Sequence, residues 1–121
     1  NAGHNLPYLV RATRADRVET HEIQELSAGG PVIGLLPDAD FQEAIVALCP
    51  GDALLAFTDG VTEAHNPDSE EFGEERLKTL LGETAHLTAE EICKRLTASL
   101  TAWIRDAPQY DDLTLVIMKV R

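Results

Sequence analysis

Residues 52–63 read DALLAFTDGVTE, a short apolar run that leads straight into an acidic turn. Ala53 to Phe57 follow a Pro-Gly turn signal without a polar interruption, which is typical of a strand covered on both faces. Asp59 then ends the apolar run, and Gly60 allows the backbone to bend sharply. A carboxylate in this position can bind a cation or simply start the helical turn at Val61, and this stretch alone leaves both interpretations open.

Further strands are predicted on both sides of this stretch. Leu6 to Arg11 and Val18 to Ile23 read as a hairpin joined by a polar turn at residues 12–16. Phe41 to Leu48 is the predicted hairpin partner of the strand at 53–57. The chain closes on one more apolar strand, which is predicted at Leu113 to Met118.

Two helices are predicted after the acidic turn. Apolar residues recur at helical spacing in Glu74 to Leu81, and Gly82 is expected to end that helix. Thr88 and Glu91 form a capping-box pattern, which predicts that a long amphipathic helix begins there. The buried stripe of this second helix is predicted to comprise Ile92, Leu96, Leu100, Trp103 and Ile104.

The length, composition and charge of the chain restrict the functions that it can have. The chain has 121 residues, of which 44% are hydrophobic, enough for one domain or part of one. Its formal net charge of -11, from 21 acidic and 10 basic residues, argues against nucleic-acid binding. No apolar run approaches the roughly 20 residues that span a bilayer, so we expect no membrane insertion and a cytoplasmic location. The chain opens on Asn1 rather than Met, so we expect it to be part of a longer protein.

A second acidic pair precedes the last predicted strand. Adjacent side chains on a strand face opposite ways, so only one of Asp111 and Asp112 is expected to face a given site. Asp59 ends one strand and Asp111 starts another, and antiparallel neighbours would place both carboxylates at one rim of a sheet. That is the geometry of a hard-cation site. The alternative, that the acidic residues merely cap strand ends, stays open on spacing alone.

Taken together, the motifs carry a family resemblance. They occur in the order Asn1-Ala2-Gly3-His4-Asn5-x-Pro7, Gly30-Pro31-x-x-Gly34, Gly51-Asp52, Thr58-Asp59-Gly60-Val61-Thr62-Glu63-Ala64, Phe72-Gly73 and Asp111-Asp112-x-Thr114. This ordered series resembles the metal-dependent protein serine/threonine phosphatases, and more narrowly their bacterial SpoIIE and RsbU-like branch. The resemblance spans the whole chain.

The resemblance implies a fold and a metal centre. The implied fold is of the α+β class, a PP2C-like α/β/β/α sandwich in which two antiparallel sheets hold two Mn²⁺ or Mg²⁺ ions between them. Asp59 and Asp111 match catalytic metal ligands of the family. Gly60 matches a position near the metals, and Asp112 supports Asp111.

The resemblance also implies a reaction and a partner. The metals activate a water that hydrolyses phosphoserine or phosphothreonine. The expected partner is a phosphorylated regulatory protein, such as a STAS-type anti-sigma factor antagonist.

One departure from the family limits these expectations. The N-terminal half of the family domain, with its own metal-binding aspartates, has no counterpart in this sequence. Residues 1–121 are therefore expected to be the C-terminal portion of a single phosphatase domain, inactive alone and prone to self-association. A degenerate or truncated pseudophosphatase that acts as a protein-binding module is the alternative, and a metal-dependent hydrolase of another kind is a third.

Overall fold

The computed structural model of the chain describes residues 1–15 and 18–121. The elements are β1 Tyr8–Ala15, β2 Val18–Glu25, β3 Ala53–Phe57, α1 Asp59–Thr62, α2 Glu74–Thr84, α3 Ala89–Ile104 and β4 Leu115–Lys119. The four strands form one antiparallel sheet in the order β2-β1-β3-β4. Within the described ranges, no helix is long and apolar enough to cross a bilayer.

The first hairpin is confirmed, with longer strands than the sequence predicted. β1 pairs with β2 from Tyr8 opposite Glu25 to Ala15 opposite Val18. Most of the turn predicted at residues 12–16 therefore belongs to β1, and its last position, Asp16, lies outside the described residues.

The second predicted hairpin is wrong. Residues 41–48 form no strand, and Ile45 in their middle is fully exposed, at 102%. β3 pairs instead with β1 on one side and β4 on the other. Because a strand has only two edges, these partners leave no edge of β3 for the segment that precedes it.

One face of the sheet packs against the helices and forms the core. The strands contribute alternate residues to this face, as the period of two requires, and α2 and α3 contribute the apolar stripes that the sequence predicted. The buried members are Tyr8, Val10, Ala53, Leu55 and Phe57 from the strands, and Leu77, Leu81, Ile92, Leu96 and Leu100 from the helices. Trp103 and Ile104 pack against this cluster but stay partly exposed.

On the opposite face of the sheet, the β3 and β4 residues are apolar and only partly covered, whereas Leu9 of β1 on the same face is fully buried. Leu54 and Ala56 of β3 are half-buried, and their β4 partners Met118 and Val116 are 43% and 59% exposed. The expectation that β3 is covered on both faces is therefore met on the helix side only. The described residues thus supply one sheet and one helical layer of the expected sandwich.

The helix ends show where local signals are decisive. α3 begins at the predicted capping box, in which the Thr88 hydroxyl accepts from Glu91 N at 3.3 Å and Glu91 Oε2 accepts from Thr88 N at 3.0 Å. α2, by contrast, continues through Gly82 to Thr84. Thr84 is buried on α2 together with Leu77 and Leu81, so the packing of this face outweighs the helix-breaking tendency of one glycine. Within the helix, the Thr84 hydroxyl donates to Leu80 O at 2.7 Å.

A buried carboxylate joins β1 to the turn before β3. Asp52 is 1% exposed and accepts hydrogen bonds from Arg11 Nη1 at 2.9 Å, Cys49 N at 2.9 Å and Ala12 N at 3.1 Å. Burial alone would raise the pKa of Asp52, but the two backbone donors and the Arg11 guanidinium outweigh it and hold that pKa below its usual range. The carboxylate is therefore more stable in the folded state than in the unfolded chain.

Asp52→Asn is expected to lower the free energy of unfolding of the parent domain by about 1–3 kcal/mol at neutral pH. Because the folded pKa of Asp52 is depressed, its contribution is complete above its ordinary pKa and is lost as the pH falls through the folded value. Urea unfolding should therefore show the gap to wild type narrowing below about pH 4. Asp38→Asn, at an exposed loop position, is the matched control. A gap that does not change with pH would contradict this account.

Candidate functional site

The site predicted from the sequence lies where β3 ends beside the start of β4. Past the last paired strand residues, Thr58 N donates to Thr114 O at 3.2 Å. The Thr58 hydroxyl donates to Asp112 O at 2.8 Å and accepts from Thr114 N at 3.0 Å. Thr58 therefore fixes the loop that carries Asp111 and Asp112 onto the turn that carries Asp59.

Gly60 allows these two segments to touch. It is buried in the first turn of α1, and a Cβ atom there would lie 2.6 Å from Asp112 O and 3.3 Å from the Asp111 Cβ. Its φ angle is not in the left-handed region, so the sharp bend expected from the sequence is not its role. The absence of a side chain is what matters, because any Cβ would collide with the backbone of the acidic loop.

The two candidate ligands have similar surroundings. Asp59 Oδ1 accepts from Gly60 N at 3.0 Å, and Asp111 Oδ1 accepts from Asp112 N at 2.7 Å. In the described part of the chain no group donates to the second oxygen of either carboxylate. Each aspartate is thus an exposed residue that is held by one backbone donor, and its second carboxylate oxygen is free of hydrogen bonds within the described residues.

The carboxylates of Asp59 and Asp111 are suitable as part of the ligand set of a hard cation. A Mg²⁺ ion is commonly bound by one or two carboxylates together with waters and substrate phosphate, and Mn²⁺ accepts the same oxygen ligands. No group of three or more His, Cys, Asp or Glu side chains that could hold a metal occurs among residues 1–15 and 18–121. Asp59 and Asp111 can therefore supply two ligands, and a complete coordination sphere needs further oxygens from elsewhere.

Contrary to the expectation from the sequence, Asp111 and Asp112 lie in the loop before β4 and not on a strand. β4 begins at Leu115, so neither aspartate lies on a strand and strand alternation does not decide where they point. They differ in another way. Asp112 contacts the Thr58 hydroxyl through its main-chain carbonyl, and its exposed side chain makes no hydrogen bond within the described residues.

Gly60→Ala tests the close contact. Alanine normally stabilises a helical position relative to glycine by up to about 1 kcal/mol, but here overpacking should destabilise the parent domain by about 1–3 kcal/mol and weaken Mn²⁺ binding. Gly82→Ala in α2 is the matched control, because the nearest atom to its Cβ would be Ile23 Cδ1 at 3.9 Å. Thermal unfolding and calorimetric Mn²⁺ titration measure the two effects. A Gly60 variant as stable as the Gly82 variant would refute the contact.

The loop that follows α1 is held by the second long helix. Trp103 Nε1 donates to Ala64 O at 3.2 Å and to Glu70 O at 3.3 Å. The Arg76 guanidinium stacks over the Trp103 ring, 4.2 Å from its centroid. The sequence indicated only a core role for Trp103, whereas the structure shows that it also anchors the segment leaving the site.

Two more residues of the site were not selected from the sequence. Thr58 entered the sequence analysis only as part of a motif. The signal for its role was its position directly before Asp59, together with Thr114 shortly after the second acidic pair. His65 gave no signal beyond a loop. Its ring meets the Tyr110 ring edge to face, with centroids 6.0 Å apart and planes at 82°.

Comparison with known proteins gives consistent matches. The family model of the stage II sporulation protein E (SpoIIE) matches residues 1–121. The chain is 32% identical over 117 residues to protein IcfG of Synechocystis, covering 96% of this chain and 17% of that protein. It is also 32% identical over 96 residues to the phosphoserine phosphatase RsbU of Bacillus subtilis, covering 78% and 28%. The chain thus spans less than a third of the length of these relatives.

Solved structures match over almost the whole chain. The SiaA-PP2C domain of Pseudomonas aeruginosa matches with a TM-score of 0.76 at 24% identity, covering 99% of this chain and 44% of that one. The PP2C phosphatase domain of SpoIIE from Bacillus subtilis, solved with a fragment of its regulatory domain, matches with a TM-score of 0.67 at 22% identity, covering 99% of this chain and 32% of that one. At these sequence identities the similarity shows the fold alone. It confirms the prediction of a PP2C-type arrangement of helices and antiparallel sheet.

Proposed function

The chain belongs to the SpoIIE family, and from that premise we propose that its parent protein is a metal-dependent phosphoprotein phosphatase. Residues 1–121 would form the C-terminal portion of its single phosphatase domain. The observation that carries the proposal is the contact at Gly60, where the absence of a side chain lets the acidic loop lie on the turn of Asp59. Acidic residues that merely capped strand ends would not require these two segments to lie so close together.

In this proposal the chain's own residues hold and orient the ligands. Asp59 and Asp111 each offer a free carboxylate oxygen, and Thr58 keeps the two segments in register. Gly60 keeps them in contact, and Asp112 supports the loop through its carbonyl. When bound, two Mn²⁺ or Mg²⁺ ions supply charge neutralisation at the phosphoryl oxygens and lower the pKa of the attacking water.

The proposed substrate is phosphoserine or phosphothreonine on a regulatory protein in the cytoplasm, with a STAS-type anti-sigma factor antagonist as the leading class. The relative RsbU is named a phosphoserine phosphatase, which supports this reaction class. The candidate ligands are exposed, and Tyr110 beside them is 80% exposed, so a residue on a protein surface could reach them. The net charge of -11 disfavours a nucleic-acid phosphate.

The test is turnover by the parent domain. Purified domain should release phosphate from serine and threonine phosphopeptides with Mn²⁺ and lose this activity in excess chelator. A domain that binds the phosphoprotein without releasing phosphate would instead support the protein-binding module as the function. Faster turnover of nucleotides or sugar phosphates than of phosphopeptides would favour a different metal-dependent hydrolase.

A further inference from the structure

The helix that carries Asp59 is a single turn, so its position depends on contacts along its whole length. α1 has four residues, far fewer than an isolated helix needs to be stable in water. Thr58 holds its first end on the acidic loop, and the Val61 side chain in its middle is fully buried. Its last end continues into residues 63–73. Whatever holds this following segment therefore also holds the end of α1.

The segment that follows α1 is a closed loop, residues 62–73. Gly73 N donates to Thr62 O, and Phe72 N donates to Ala64 O, both at 2.8 Å. Both hydrogen bonds lie at the neck of the loop, where it leaves and rejoins the body of the domain. The loop and the end of α1 therefore form one hydrogen-bonded unit.

Trp103 of α3 closes this loop from the helical layer. Its indole N–H lies within hydrogen-bond distance of two carbonyl oxygens, Ala64 O at 3.2 Å and Glu70 O at 3.3 Å. The indole has a single proton to donate, so it is shared between the two acceptors. Since Ala64 and Glu70 lie on opposite sides of the loop, this one donor joins both sides to α3.

Two neighbouring side chains hold the indole in this orientation. The Arg76 guanidinium of α2 stacks over the ring, 4.2 Å from its centroid, and donates to Phe72 O at 3.0 Å and Glu71 O at 3.2 Å. The Phe72 ring meets the indole edge to face, with centroids 6.0 Å apart and planes at 78°. Both long helices are thus attached to the loop through Trp103 and Arg76.

The connection from Ala64 back to Asp59 is short. Glu63 N, in the residue before Ala64, donates to Asp59 O at 2.8 Å, and the Thr62 hydroxyl donates to the same oxygen at 3.1 Å. A displacement of Ala64 would therefore reach the main chain of Asp59 through one helical turn. The position of that main chain sets where the carboxylate can lie.

We propose that Trp103 is a positioning residue for the candidate metal ligand Asp59, and that it raises the affinity of the parent domain for Mn²⁺. The inference rests on the proposed function, since it concerns the same metal site. By holding the end of α1, Trp103 orders the carboxylate before the metal binds, which reduces the conformational entropy that binding costs. Trp103 acts through the main chain rather than by contact with the reacting atoms, so it is not a catalytic residue.

Calorimetric Mn²⁺ titration of the parent domain tests this role. Trp103→Phe keeps an aromatic ring but removes the indole N–H, so the Kd for Mn²⁺ should rise about fivefold, the factor that one hydrogen bond contributes. Turnover at saturating Mn²⁺ should stay within about twofold of wild type, because both candidate ligands are retained. Arg76→Ala, at an exposed position, removes the support of the indole and should raise the Kd about threefold.

Ile92→Val is the matched control for a general loss of stability. It shortens a buried side chain near the start of α3, whereas Trp103 lies near the end of that helix. The loss of a buried methyl group should lower the Tm of the parent domain. The Kd for Mn²⁺ should nevertheless equal that of wild type, because the loop after α1 keeps its hydrogen bonds.

Hydrogen exchange of the metal-free proteins gives a second readout that does not depend on activity. In Trp103→Phe the Phe72 amide, at the neck of the loop, should exchange about fivefold faster than in wild type. The Leu55 amide in the central strand β3 should exchange at the wild-type rate. This pattern would show that the substitution loosens the loop and leaves the sheet intact.

The outcomes separate this inference from the proposed function. An unchanged Kd in Trp103→Phe, or an equal rise in Ile92→Val, would overturn the positioning role and leave the phosphatase in place. If the wild-type domain binds Mn²⁺ but releases no phosphate from phosphopeptides, the proposed function fails, while a raised Kd in Trp103→Phe alone still supports the positioning role. If the wild-type domain binds no Mn²⁺, both fail. Should Trp103→Phe not fold, Arg76→Ala decides, and an unchanged Kd there overturns the inference.

Discussion

Replacing Asp59 or Asp111 by Asn in the parent domain is expected to lower Mn²⁺-dependent turnover by at least about 100-fold while the fold survives. Each substitution removes a charged oxygen ligand and leaves an isosteric amide, so the loss falls on metal binding and on stabilisation of the transition state. A metal ion contributes several kcal/mol to that stabilisation, and about 1.4 kcal/mol corresponds to a factor of ten. Phosphopeptide turnover, calorimetric Mn²⁺ titration and circular dichroism measure activity, affinity and folding.

Two neighbouring aspartates provide graded controls. Asp112→Asn should cost clearly less than Asp111→Asn, because Asp112 contacts the site through its carbonyl, which the substitution retains. Asp106→Asn, an exposed position earlier in the same connection, should behave like wild type. Near-normal turnover in Asp59→Asn or Asp111→Asn would refute the ligand assignment. Equal losses at Asp111 and Asp112 would show that the proposed division of roles is wrong.

The chain of residues 1–121 expressed alone is expected to self-associate. The sheet face opposite the helices is apolar and exposed at Val116 and Met118, and β4 is an edge strand with unpaired backbone groups. The long connection before β3 adds further exposed apolar side chains, including Ile33 at 75% and Ile45 at 102%. Exposed apolar faces and free strand edges both drive association in water. Sedimentation velocity and light scattering should therefore report species larger than a monomer.

Charge on the exposed face should oppose this association. Met118→Lys should lower the mean mass at a given protein concentration, because it places an ammonium group on the apolar surface. Ala98→Lys, at an exposed position of α3 on the helical side, adds the same charge elsewhere and should leave association unchanged. A monomeric, well-folded wild-type chain would contradict the prediction, because it would show that the apolar face is stable in water. If the two lysine substitutions reduced association equally, net charge rather than the apolar face would control it.

Local signals in the sequence were strong enough to place most elements. The capping box at Thr88 and the apolar stripe through Leu96 predicted the start of α3 and its buried face, because both signals act within a few residues of the chain. The apolar run at 53–57 predicted β3 for the same reason. The order of motifs, from Asn1 to Thr114, also sufficed to recognise the family that the comparisons confirm.

Strand pairing and the roles of individual site residues depended on the tertiary structure. Periodicity marks a strand but not its neighbour, so residues 41–48 were assigned to an edge of β3 that β1 and β4 occupy. The role of Gly60 could not be read from a turn dipeptide, since it arises from a loop about 50 residues later in the sequence. The buried hydrogen bonds of Asp52 and the ring contact between His65 and Tyr110 likewise join segments distant in sequence. The sequence determined which residues carry carboxylates at the ends of strands, and only packing between distant segments decided which of them lie together.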